Sequence, residues 1–235
     1  FKDKNKDYWY YLLSRLISIV TNNPKERERL GSVKELLDKL KHIVLESNVD
    51  NETKKEAAIL LAELAPNNGE LMAEVLGNND TDLRCKVMIE LLRAKKVSKD
   101  KRLVERLKDI ALKTKNSILR GYAVDLTVKL ALDDDKVMSG LCENMNDAFA
   151  EKFLSSLEEK GYDAIPVLLR GFKSNDPNFR RAVLISIKNI IGQSDNKKRW
   201  EKDKRALSAV KKVALTDKEL AIRPVSYTHL TLPTN

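Results

Sequence analysis

Three stretches of this chain follow one pattern. NDPNFRRAV (175–183), NDTDLRCKV (79–87) and KNSILRGYA (115–123) each set a capping-type residue three positions before a large apolar residue, with an arginine directly after it. VDNETKKEA (49–57), MNDAFAEKF (145–153) and TDKELAIR (216–223) are weaker copies. The aligned positions Thr53, Leu83, Leu119, Phe149, Phe179 and Leu220 recur at intervals of about 30 to 40 residues, the spacing of a repeated supersecondary unit. Such a unit cannot bury its own apolar face, so the copies must supply one another's core.

Residues 164–192, AIPVLLRGFKSNDPNFRRAVLISIKNIIG, show what the unit is. Ile165, Leu168, Leu169 and Phe172 form one stripe of a helix, at i, i+3, i+4 and i+7. SNDP interrupts it: Asn175 or Asp176 is suited to cap a second helix, with Pro177 in its first turn. Phe179, Val183, Leu184, Ile187 and Ile190 make the second stripe. The unit is a helical hairpin. Val33, Leu36, Leu37, Leu40, Ile43 and Val44 mark another first helix, and Trp9, Leu13, Ile17 and Val20 a second helix that lacks its first. Only 8 glycines and 6 prolines punctuate 235 residues, too few for a chain of many tight turns. The expected fold is all-α: an α-solenoid of about six stacked hairpins, truncated at both ends. The expected repeats span 1–31 (partial), 32–66, 67–97, 98–132, 133–161, 162–196 and 197–223 (truncated).

DPNFRRAV (176–183) resembles the D-P-x-(apolar)-R-x-A-(apolar) signature of HEAT repeats, and DTDLRCKV (80–87) matches it less completely. Pro166, placed inside a first helix over 164–173, is similar to that family's usual proline. The resemblance covers roughly residues 33–223; Asn116 stands in for Asp in one copy, and Ala150 and Ala221 for Arg in two. It implies an α-solenoid of the short HEAT-like, armadillo-type variety whose second helices line a concave face. It implies no single activity.

The end of the chain departs from everything before it. VSYTHLTLPTN (225–235) has no charged residue, whereas 34% of the chain is charged. Its back-translation resembles a transposon-end sequencing adapter read in one frame, so residues 224–235 are expected to be an adapter-derived tail and Arg223 the last native residue. The implied source is a shotgun-sequenced, metagenomic-type fragment. That leaves His42 as the only histidine for chemistry, beside Cys85 and Cys142. One His and two distant Cys assemble neither a zinc cluster nor a nucleophilic triad, and no glycine-rich phosphate loop occurs. Asp133, Asp134 and Asp135 read as solvated carboxylates at a helix start. The expectation is no catalysis, no cofactor and no metal. Two unspaced thiols and no long apolar run point to a cytoplasmic protein without a membrane span.

The repeated arginines are expected to be structural, Arg84, Arg120 and Arg180 pairing with turn residues of neighbouring hairpins such as Asp80, Asn116 and Asp176. The net charge of +9 concentrates in two blocks, 93–108 and 197–212, each with eight basic and two acidic residues. Both are expected to begin in turns on one edge of the array. Arg93, Lys95, Lys96, Lys99, Lys101, Arg102, Lys197, Lys198, Arg199, Lys204 and Arg205 are candidate anion or nucleic-acid contacts, and Trp200 a candidate base-stacking platform. Acidic turns at 133–135 and 158–163 interrupt that edge. The leading expectation is therefore a scaffold that binds a protein or peptide ligand. The alternatives are a nucleic-acid-binding HEAT-like protein, related to a DNA-repair glycosylase, and the helical appendage of a larger enzyme.

Overall fold

A computed structural model describes residues 6–46, 48–143 and 147–218. Among these residues there are fourteen α-helices and no strand. They are α1 (Lys6–Asn22), α2 (Pro24–Gly31), α3 (Lys34–Leu45), α4 (Asn51–Leu64), α5 (Gly69–Val75), α6 (Thr81–Arg93) and α7 (Lys101–Lys113). After α8 (Ser117–Ala131) come α9 (Asp135–Glu143), α10 (Asp147–Glu158), α11 (Ile165–Gly171), α12 (Pro177–Ile191), α13 (Ser194–Lys202) and α14 (Lys204–Thr216). None of them is long and apolar enough to cross a membrane. The chain divides into two compact units, Phe1–Leu130 and Ala131–Asn235.

In the first unit α1 packs on α4 and α4 on α6, while α3 packs on α5 and α5 on α7. In the second, α10 packs on α12, α9 on α11, and α11 on α14. Second helices thus meet second helices and first helices meet first helices, with α3 on α4 and α11 on α12 joining the layers. The aligned apolar positions are the reason. Thr53, Leu83, Leu119, Phe149 and Phe179 are all at most 4% exposed, and Leu220 lies outside the described residues. Phe149 and Phe153 stack with ring centroids 5.8 Å apart in the core of the second unit, each buried ring stabilising by about 1.5–3 kcal/mol.

The helix starts explain why the capping residue stands three positions before the anchor. Asp50 accepts a hydrogen bond from the Thr53 amide (3.0 Å), Asp80 from Leu83 (3.0 Å) and Asn116 from Leu119 (2.9 Å). Each side chain satisfies an amide that the helix cannot. A further turn residue precedes the cap by two: the amides of Asp80, Asp100, Asn116 and Asp176 donate to Asn78, Ser98, Thr114 and Ser174.

A 3-10 turn over Gly161–Ala164 leads into α11, and Pro166 lies inside that helix, in its first turn. Proline fits there because those amides have no intrahelical acceptor. The turn starts at Gly161, φ +59°, a conformation open to glycine. Gly171 serves differently: a Cβ there would lie 2.7 Å from Val183 Cγ2, so its absence lets α11 approach α12.

Candidate functional site

An open groove of about 420 Å³ runs between α10 and α12 in the second unit. Its apolar lining is Ala150, Leu154, Phe179, Ala182 and Ile185, and Glu151, Glu158 and Asp176 carry the charge. Two of these carboxylates are already partly used: Asp176 caps α12 through the Asn178 amide (2.9 Å), and Glu158 accepts from Asn189 (3.2 Å). Glu151 is exposed. Ile185 is 47% exposed, on a helix whose other face is core. The exposed cations of α12, Arg181 and Lys188, do not line the groove. A protein of net charge +9 thus carries a groove whose charged lining residues are all carboxylates.

At Arg180 the arginine ladder takes the expected form, a pair with a turn acid of the neighbouring copy, but the partner is Asp217 and not one of Asp80, Asn116 or Asp176. Asp80, Asn116 and Asp176 are N-caps of their own helices, their oxygens turned to backbone amides. Arg180 instead makes a two-point bond to Asp217, Nε and Nη2 each 2.9 Å from a carboxylate oxygen, and its Nη1 donates to the Ser174 carbonyl. This pair is buried, 11% and 5% exposed. Asp217 stands three residues before Leu220, the cap position of the next copy. So the arginine reaches forward 37 positions, to the acid at the aligned position of the next copy. Arg120 donates to the Thr114 carbonyl at 2.7 Å, the same backward contact that Arg180 makes to Ser174.

Arg84 has neither contact. Among the described residues it has no hydrogen-bond or ion-pair partner, and its Nε is buried without an acceptor. Burial, with Arg106 nearby as the lesser cause, pulls its pKa below the usual arginine value. The carboxylates nearest to it in sequence are committed elsewhere. Between residues 67 and 116 there are eight: Glu70, Glu74, Asp82, Glu90, Glu105 and Asp109 pair with Arg102, Lys41, Lys55, Arg93, Lys108 and Lys113. The other two, Asp80 and Asp100, cap helices.

The two basic blocks fall in different units. In the first, Arg93, Lys95, Lys96, Lys99, Lys101 and Arg102 are exposed, with Arg93 2.8 Å from Glu90 and Arg102 paired to Glu70. The second block corrects the expected turn: residues 194–202 are helical, and Trp200 on α13 is only 4% exposed. A side chain built into the core offers no face to a base, so Trp200 is no stacking platform. Arg199 lies 4.3 Å above the Tyr162 ring and 3.1 Å from Asp163. Burial and a hydrogen bond to Asp203 push the Tyr162 hydroxyl's pKa up. Lys197, Lys198, Lys204 and Arg205 are exposed.

Asp134 caps α9 and Asp135 pairs with Arg170. Among the described residues no three His, Cys, Asp or Glu side chains are grouped to hold a metal. His42 is a surface residue, 3.1 Å from Glu46. Sequence reasoning missed the groove and the residue two before each cap, although NND, SKD, TKN and SND all show that spacing. It also missed Lys129, whose Nζ donates to the Leu91, Leu92 and Ala94 carbonyls and closes the end of α6. Comparison with protein-family models, with curated proteins and with solved structures gives no match to this chain.

Proposed function

We propose that the chain is a non-catalytic interaction scaffold, a HEAT-like α-solenoid whose second-helix layer binds a protein or peptide. The groove between α10 and α12 carries this reading. It pairs an exposed aliphatic residue, Ile185, with a carboxylate rim of Glu151, Glu158 and Asp176, and surfaces of that composition gain by covering their apolar part. The rim favours a segment that brings an apolar side chain flanked by Lys or Arg. The layered packing of like helices within each unit supports the solenoid, because stacked repeats present their second helices side by side.

Selection from a displayed random-peptide library tests it. The wild-type chain should enrich basic peptides with an apolar residue at their centre. Ile185→Asp should lose them, and Glu151→Lys with Glu158→Lys should weaken them. Enrichment that is unchanged by all three substitutions would move the binding surface elsewhere.

A further inference from the structure

The second unit carries its groove's complement on another helix. α14 (Lys204–Thr216) reads KRALSAVKKVALT, with four cations and no carboxylate. Lys204, Arg205, Lys211 and Lys212 are exposed and make no ion pair among the described residues. Leu215 is 70% exposed, more than Ile185 in the groove. Lys211 and Lys212 stand four and three residues before it, on the same side of the helix. A single exposed leucine is ordinary on a protein surface. This one sits beside lysines, on the same unit as an apolar groove whose charged lining residues are all carboxylates. The two surfaces match, apolar to apolar and acid to base.

One chain cannot bring these surfaces together. α14 is packed on α11 and α13, and no residue of it lines the groove between α10 and α12. Nor do like surfaces pair, since two α14 helices would oppose cations and two grooves would oppose carboxylates. What remains is a contact between unlike surfaces of two copies, a heterologous one. We propose, on the reading of the groove as a docking surface, that its occupant is a second copy of this chain: α14 of one copy lays Leu215 beside Ile185 of the next and brings Lys211 and Lys212 to Glu151 and Glu158. A groove of about 420 Å³ takes one side chain and its flanks, so the contact belongs to the weak, transient class. Each pair so joined still offers a groove and an α14, so association continues head to tail.

Sedimentation velocity of the full chain at rising concentration tests this. The average mass should rise with concentration, and added salt should lower it again, because the lysine–carboxylate contacts lie at the surface. Leu215→Asp and Ile185→Asp should each weaken association by about tenfold or more. Both replace exposed side chains, so both variants should fold, as circular dichroism checks. Mixed together they should form a one-to-one dimer that does not grow, because one keeps the groove and the other the helix. Lys211→Glu with Lys212→Glu should lose association with the wild-type groove and regain it with a groove carrying Glu151→Lys and Glu158→Lys. A chain that stays monomeric while it still selects basic peptides would overturn the second copy as partner and leave the groove's reading standing. If the peptides are lost as well, both fall. Association that survives Leu215→Asp, or a mixture of the two aspartate variants that stays monomeric, would also overturn the contact.

Discussion

An oxygen that caps a helix by bonding the amide of a buried residue ties two requirements to one spacing. Asp80 does this for Leu83, itself 1% exposed. Asp80→Ala should cost about 1 kcal/mol in urea denaturation, and Asp80→Asn much less, since asparagine caps as well. Asp217 has more at stake. Its removal as Asp217→Ala strands the Arg180 guanidinium, 11% exposed, and should cost about 3–5 kcal/mol. The capping residues were legible in sequence because they act on their own helix. The arginine's true partner was not, because Arg180 and Asp217 are 37 residues apart and only packing selects among the turn acids.

At the scale of the element, α12 offers a matched pair of substitutions. Val183 is 0% exposed, and Val183→Asp puts a carboxylate without a partner between α11 and α12, costing upwards of ~3 kcal/mol. Arg181 is exposed, and Arg181→Ala should change stability by no more than ~0.5 kcal/mol. Equal tolerance in chemical denaturation would mean that the face assignment of α12 is wrong. Apolar periodicity located α11 and α12 from sequence almost to the residue, since a stripe of Leu and Ile leaves one face to bury. Residues 194–202 have almost no stripe: eight of these nine residues are polar or charged, and Trp200 alone anchors the helix. Its burial rests on a neighbour, with α13 packed on α12 and on the 3-10 turn. No local signal distinguishes that tryptophan from an exposed one.

Across the whole molecule, charge and thiols give two further tests. Trp200 is buried and Arg199 is engaged by Tyr162 and Asp163, so DNA or RNA should bind only weakly, with dissociation constants on the order of 10⁻⁵ M or poorer at physiological salt. A mobility-shift titration at two salt concentrations checks this; sub-micromolar binding abolished by charge reversal at Lys95, Lys96, Lys198 and Arg199 would favour the nucleic-acid reading. Cys142 lies in the second unit and Cys85 in the first. Burial pushes the Cys142 thiol from 9.0 up to about 11. Its folded pKa is raised, so its share of stability is complete below pH 9 and is lost as pH climbs toward 11. Near neutrality it should resist thiol reagents until the second unit opens, and Val183→Asp should speed that reaction, as timed by thiol-labelling mass spectrometry. By itself the sequence determined the helical class, the caps and the buried anchor positions, since each depends on residues within a turn or two of one another. Tertiary structure decided which arginine found a carboxylate, which one was left with a buried Nε and no acceptor, where Trp200 went and which apolar surface stayed open. Those outcomes depend on how successive hairpins pack, and residues more than thirty positions apart meet only after the layers have formed.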